Sequence, residues 1–447
     1  MFKILKEEKE SLISECEQIL DDLFPLSRSL TGDGVRATLR KLNEVTSFEI
    51  KDFKSGEKHY DWEIPKEWFI KEAFIKDSKG KTILNYKNNN LHVVNYSNPV
   101  NTTISYEQLN DRVYTLPNLE DAIPYRTAYY SDEWGFCMSH NDFKKLDKNE
   151  TYNVLIDSEF KDGVLNYGEV FLRGRNPKKT FIFSTYCCHP SLANDNLSGI
   201  VLWILLLREL KKHTLENNYI FVIHPETIGA IAYLQANEEI MTNIEAGSVI
   251  TTVAGPGKYS IKRSCKPASI IDRACIQTFK EHGFDFIEYN FDPDAGSDER
   301  QYSSQYFGIP MISICRDKYF EYDFYHTSKD DLNFISAKNL IGTLNLYLST
   351  ISKLEKNFKY KSLNPKCEPM LGKRGLYPSV GGQIKQQANK EKNNHEWDRV
   401  LPAINWLMYL SNGENSLLDI AEITSLEFDL ISDTADLLKD NKLLERI

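Results

Sequence analysis

Apolar runs bounded by polar loops alternate with helical patterns through the middle of the chain. From about residue 129 to 360 they follow in order: an apolar run at 181–185 (FIFST), the almost wholly apolar segment Gly199–Lys211, and a second run at 219–224 (YIFVIH). Next come 249–255 (VITTVAG), a helical pattern over 269–282, the run 309–315 (IPMISIC), and a last helical pattern from about 336 to 353. Short continuous apolar runs predict strands covered on both faces. Such strands alternating with helices predict an α/β fold with a mostly parallel sheet flanked by helices.

The flanks read differently. The first fifty residues are mostly helical in pattern, and Thr31 and Asp33 can cap a helix starting near Gly34. Between 51 and 128 the β-prone runs are short (82–86, 91–96, 112–115) and broken by Asn, Gly and Pro. Helices precede this stretch and the α/β pattern follows it. It therefore reads as a small inserted β-rich domain, splitting a catalytic domain into 1–50 and 129–362.

A Gly-, Pro- and Lys-rich linker is expected over 363–394, and a separate module over 395–447. The module's first helical pattern gathers Val400, Leu401, Ile404, Leu407 and Met408 on one face. A second starts after Ser416, and a third after the capping-box sequence Thr424-Ser425-Leu426-Glu427. With a terminal strand in LLERI, this predicts a winged-helix module.

Composition narrows the function classes. A formal charge of −10 and the lack of a basic stripe argue against nucleic acid or an anionic membrane as main partner. The last module is itself acidic: residues 396–447 carry eleven Asp/Glu against four Lys/Arg, a net charge of −7. It is expected to make protein contacts, including homo-oligomer contacts, rather than bind DNA. The charged N-terminal pattern is unlike a signal peptide, and the longest apolar run, 200–207, is too short to span a bilayer. The eight cysteines form no CxxC pair, and the adjacent Cys187 and Cys188 read as reduced, buried thiols. A cytoplasmic protein acting on a small molecule or peptide is expected.

The strongest chemical signal is CCHPSLANDNLSGIV, directly after the run at 181–185. Ligands gather at the carboxyl ends of strands in open α/β sheets, which is where His189 falls. Asp195, six residues on, sits in a polar loop leading into a buried helix. An imidazole and a carboxylate so placed suit zinc, though a satisfied core histidine and a helix cap explain them equally well. Glu226, in HPETIGA after the second apolar run, falls at another strand end. There it can pass a proton between water and a leaving amine, or cap the next helix. His326, in FYHTSKDDLNFIS, gains weight as the next member of this set. Asp298 and Glu299, in AGSDERQY, can bind a substrate ammonium, support a metal, or simply start a helix in solvent.

Together these segments resemble the M28 superfamily of di-zinc aminopeptidases. RSLTGDGVR (28–36), EIPKEW (63–68), CCHPS and LGKRGLYP (371–378) resemble, more narrowly, the aminopeptidase-like proteins of bacterial polysaccharide-biosynthesis loci. That group has an inserted β domain and a C-terminal winged helix, and the likeness runs through essentially the whole chain. The resemblance implies that His189 and His326 bind metal, that Asp195 sits where a carboxylate bridges two metals, and that Glu226 is the general base. Two of the superfamily's ligand positions are unmet. Thr227 replaces the glutamate after the base, and Thr251 and Thr252 stand where an aspartate is usual. Three ligands remain, the usual number for one catalytic zinc rather than two.

The expectation is a zinc-dependent, aminopeptidase-like hydrolase of an amide or peptide bond, linked to surface-polysaccharide biosynthesis. The alternative is a non-catalytic metal- or ligand-binding regulator that uses its winged helix for protein or nucleic-acid contacts.

Overall fold

The computed structural model describes residues 2, 4, 7–175, 179–377 and 395–447. They fall into two compact units: Lys3–Asp272 with Asp285–Tyr347, and Met1–Phe2 with Arg273–Phe284 and Leu348–Ile447.

An eight-stranded sheet organises the first unit. Its order is Glu49–Lys54, Val164–Leu172, Asn218–His224, Thr180–Tyr186, Ala246–Val249, Met311–Arg316, Tyr259–Lys262, Phe286–Tyr289. The four central strands are mutually parallel. Asn218–His224 is buried along its whole length, as its apolar centre Tyr219–Ile223 requires. The helix Gly199–Lys211 is buried at nearly every position and covers this core.

Strand order reverses at Thr180–Tyr186. From it the chain steps to one side for Asn218–His224, then crosses to the other for Ala246–Val249. The loop after Thr180–Tyr186 therefore lies at a topological switch point, where open α/β sheets form their ligand crevices.

The strand expected over 249–255 ends at Val249. Pairing stops because the chain turns across the sheet end: Ile250 donates to the Ser184 carbonyl and accepts from the Thr185 hydroxyl. The run at 91–96 is no strand either. The Asn89 side chain accepts from the Leu91 N–H and closes a 3₁₀ turn, Asn90–His92.

The insertion is larger than the sequence predicts. Its antiparallel sheet has the order Thr82–Asn85, Glu67–Asp77, Thr151–Lys161, Val100–Ser105, so it extends past the boundary expected at 128. At the other end, Glu49–Lys54 belongs to the large sheet. The two ends of the insertion meet: the Ser55 N–H donates to the Gly163 carbonyl at 2.9 Å. The Gly163 N–H returns a bond to Ser55 Oγ at 3.0 Å.

In the second unit a three-stranded antiparallel sheet (Asn412–Ser416, Lys359–Ser362, Leu444–Arg446) accompanies helices His395–Leu410, Leu417–Thr424 and Phe428–Asp440. This is a winged-helix arrangement. Its central strand precedes the expected linker, so the module starts well before 395; residues 378–394 of that linker lie outside the described residues. The capping box forms at the second helix, between Ser416 and Asp419. The third helix has no such cap, because the Thr424 hydroxyl turns back onto the Ile420 carbonyl. No described helix is long and apolar enough to cross a membrane.

Candidate metal and catalytic site

Two segments that follow parallel strands, one after Thr180–Tyr186 and one after Met311–Arg316, bring His189, Asp195 and His326 together, with one donor atom from each within 4.8 Å of the others. His189 is buried, and its carbonyl accepts a bond from Arg28 Nε at 2.8 Å. Burial pulls its pKa down to about 4 against the attraction of Asp195, so the imidazole is neutral and its lone pair free to bind a metal.

Asp195 is buried at the start of the turn leading into the helix Gly199–Lys211. A Cβ on Gly199 would lie 2.1 Å from Asn196 Oδ1 and 2.6 Å from the Ile250 carbonyl, so the turn requires glycine there. Asp195 Oδ1 accepts from the Tyr186 hydroxyl at 2.5 Å, and Tyr186 also bonds Thr251. Burial raises the Asp195 pKa, but the neighbouring His189 and His326 and the Tyr186 bond outweigh it. The group stays below its usual range, as a carboxylate. Asp330 clamps this loop from the His326 motif: its two oxygens accept the N–H groups of Asn194 (2.6 Å) and Asp195 (3.0 Å).

His326 sits at φ +55°, a left-handed conformation uncommon for a residue other than glycine. Its ring stacks on Tyr325 with centroids 3.9 Å apart. Its Nε2 lies 3.1 Å from Asp195 Oδ2, yet this buried nitrogen makes no hydrogen bond. An orphaned buried nitrogen, a neutral imidazole and an ionised carboxylate are a donor set that fits one zinc ion.

Glu226 Oε2 is 3.7 Å from His189 Nε2, and Oε1 accepts from Ser297 Oγ at 2.7 Å. Burial and the charge of Asp195 raise its pKa to about 7 against the Ser297 bond. Cys188, His189 and Glu226 also converge within 4.8 Å. Cys188 accepts the Glu226 N–H, and burial pushes its thiol far up, so it borders the site as a thiol. Cys187 and Cys188 are both free.

The expected substrate role of Asp298 and Glu299 does not fit their surroundings. Glu299 is 1% exposed and is taken up by Lys262 Nζ at 2.5 Å, the Tyr319 hydroxyl at 2.8 Å and the Ser297 N–H. Asp298 is fully buried behind Thr227, whose N–H it accepts at 2.7 Å. Neither carboxylate faces the cavity over Glu226.

That cavity has a volume of 330 Å³. Its floor is His189, Glu226, Thr227 and His326, and its wall is Trp62, Tyr125, Thr127, Tyr129 and Tyr130 of the insertion. Sequence reasoning missed Tyr125, Tyr129, Tyr186 and the clamp of Asp330.

Residues 17–357 match the family described as domain of unknown function (DUF4910), and residues 358–446 match a winged helix-turn-helix family. A relative from Clostridium acetobutylicum, named "Putative polysaccharide biosynthesis protein with aminopeptidase-like domain", is 40% identical over 433 residues. The alignment covers 97% of this chain and 96% of that protein. The crystal structure of a "putative peptidase" from the same species covers 99% of this chain and 98% of its own, with 38% identity and a TM-score of 0.89. A zinc aminopeptidase from Bacillus subtilis aligns over 79% of this chain and 95% of its own, at 14% identity and a TM-score of 0.58. That likeness is one of fold.

Proposed function

Since the chain belongs to the DUF4910 family and joins an aminopeptidase-like fold to a winged helix, we propose that it is a zinc-dependent hydrolase of an amide bond. The observation that carries this reading is the convergence of His189, Asp195 and His326 beside Glu226, whose carboxyl is raised to about 7. A group titrating near neutrality can both accept and return a proton.

His189, Asp195 and His326 would hold one zinc, the position after Glu226 being a threonine. When bound there, zinc supplies Lewis-acid polarisation of the amide carbonyl and acidifies water. Ser297 pins Oε1 of Glu226 and leaves Oε2 directed at the His189 side. Oε2 takes a proton from the attacking water and delivers it to the departing nitrogen. Tyr186 and Asp330 fix the Asp195 loop, and Arg28 anchors the His189 carbonyl, so donor positions are set before substrate arrives.

Glu226→Gln tests the reading directly. In zinc-loaded protein, kcat for the amide substrate should fall about 10²–10⁴-fold with zinc content unchanged. Turnover equal to the unsubstituted protein would overturn it.

The acidic winged-helix module fits contact with protein, including a second copy of the chain, better than contact with nucleic acid. Of its third helix, FDLISDTADLLKD, a single lysine offsets four aspartates.

A further inference from the structure

The cavity over Glu226 has two properties that an aminopeptidase pocket does not need together. Among the described residues that line it, Glu226 is the only carboxylate and none is Lys or Arg. A peptide's α-ammonium requires an anionic partner, but Glu299 is bonded to Lys262 and Tyr319, Asp298 is buried behind Thr227 and does not line the cavity, and Glu226 handles the proton. The substrate's recognised part is therefore uncharged.

The wall supplies aromatic faces and hydroxyls instead. Trp62 and Tyr130 remain 39% and 52% exposed, packed edge to face with centroids 5.5 Å apart. The Tyr130 hydroxyl donates to the Glu63 carbonyl at 2.9 Å, which fixes its ring at the mouth. Deeper in, the Tyr125 and Tyr129 hydroxyls lie 3.2 Å apart. Each phenol keeps further hydrogen-bonding capacity, and the hydroxyls of Thr127 and Thr227 line the same space. Aromatic rings receive the C–H face of a sugar, while phenols and threonines pair with its hydroxyls. At 330 Å³ the cavity is at the small end of the roughly 300–1,000 Å³ typical of ligand pockets, a size for one ring rather than a polymer.

We propose that this cavity binds an N-acylated amino sugar, its ring against Trp62 and Tyr130 and its amide carbon over Glu226, and that the protein removes the acyl group. The inference rests on the hydrolase reading of the same site. Water adds its oxygen to the acyl carbon and the C–N bond breaks. One water proton passes through Glu226 to the sugar nitrogen. A carboxylic acid and a free amino sugar leave.

The test uses full-length, zinc-loaded protein with N-acetylglucosamine, N-acetylgalactosamine and N-acetylmannosamine, read by acetate release, beside leucine p-nitroanilide, read by absorbance. Acetate should be released from at least one sugar. Trp62→Ala should raise its KM about tenfold with kcat little changed, and Trp62→Phe should restore most of the loss. Cleavage of the anilide with no acetate from any sugar overturns the inference and leaves the hydrolase reading standing. Acetate release with KM unmoved in Trp62→Ala and Tyr130→Ala also overturns it. If no substrate is turned over, saturable tryptophan quenching of Glu226→Gln by a sugar, absent in the Glu226→Gln, Tyr130→Ala double variant, supports the sugar site and sinks the hydrolase reading. Absence of both turnover and quenching overturns the sugar site.

Discussion

Tyr125 donates its backbone N–H to the carbonyl of His326 at 2.8 Å, although the two lie in different parts of the chain. Pro124 and Thr327 bridge beside them, and the Ser328 N–H reaches the Ile123 carbonyl. The aromatic wall and the loop of the last imidazole are thus one short antiparallel ribbon. The Tyr125 ring lies 5.3 Å from His189 and 5.1 Å from His326, packing against both.

From this contact, Tyr125→Ala should weaken zinc binding about 10–100-fold without removing a ligand. Competition with a chelating dye gives the number. Tyr125→Phe keeps the ring and should bind zinc nearly as the unsubstituted protein does.

Metal analysis of purified protein should give close to one zinc per chain, because Thr227 and Thr251 offer no carboxylate. His326→Ala and Asp195→Asn should each empty the site. A reproducible ratio near two would refute the single-ion assignment.

Glu299 acts on the fold rather than on substrate. It and Lys262 are each 1% exposed, and removing one partner of such a pair leaves a buried charge. Glu299→Ala should cost about 3–5 kcal/mol in urea unfolding. The refolded variant's KM should stay within a factor of two or three; a KM shift with full stability would restore Glu299 as a substrate contact.

His224 sets a pH dependence of stability. It is fully buried, its Nδ1 donates to the Pro225 carbonyl, and Nε2 lies 3.0 Å from the Tyr302 hydroxyl and 3.2 Å from that of Ser184. Burial lowers its pKa to about 4, against roughly 6.5 when unfolded. The unfolded chain therefore binds this proton first. Stability is complete above about pH 6.5 and falls as pH drops toward 4, by about 3 kcal/mol in all. Unfolding midpoints between pH 7 and 4.5 should decline more steeply in the unsubstituted protein than in His224→Gln.

The acidic winged helix should fail to retain duplex DNA even at about 50 mM salt, where phosphate contacts are strongest. A salt-sensitive shift in a gel assay would contradict its assignment to protein contact.

Much of the α/β framework was legible because buried strands and helices announce themselves locally. Tyr219–Ile223 and Gly199–Leu207 are apolar along their length, and the ends of the strand and helix that contain them fall where the sequence predicts within a residue. The placement of His189, Asp195, Glu226 and His326 was legible because each follows such a strand in a polar loop. What depended on distant convergence was not. The Asp330 bond to Asn194 spans 136 residues, and nothing near either position encodes it. Asp298 and Glu299 looked available because acidity shows in a sequence and a buried Lys262 partner does not. The insertion extends past 128 because Thr151–Lys161 pairs with Glu67–Asp77 and Val100–Ser105, while Val164–Leu172, two residues on, joins the large sheet.

The meeting of Ser55 and Gly163 makes the insertion a cassette with adjacent ends. Trp62, Tyr125, Tyr129 and Tyr130 all lie inside it, while His189, Asp195, Glu226 and His326 all lie outside. A chimera that swaps residues 56–162 for those of a relative would change the lining offered to the substrate and keep the reacting groups intact. In this architecture the lining and the proposed reacting groups are inherited on separate pieces of chain that meet at Tyr125, so a lineage can diversify the first as long as the residue packed against His189 and His326 is kept.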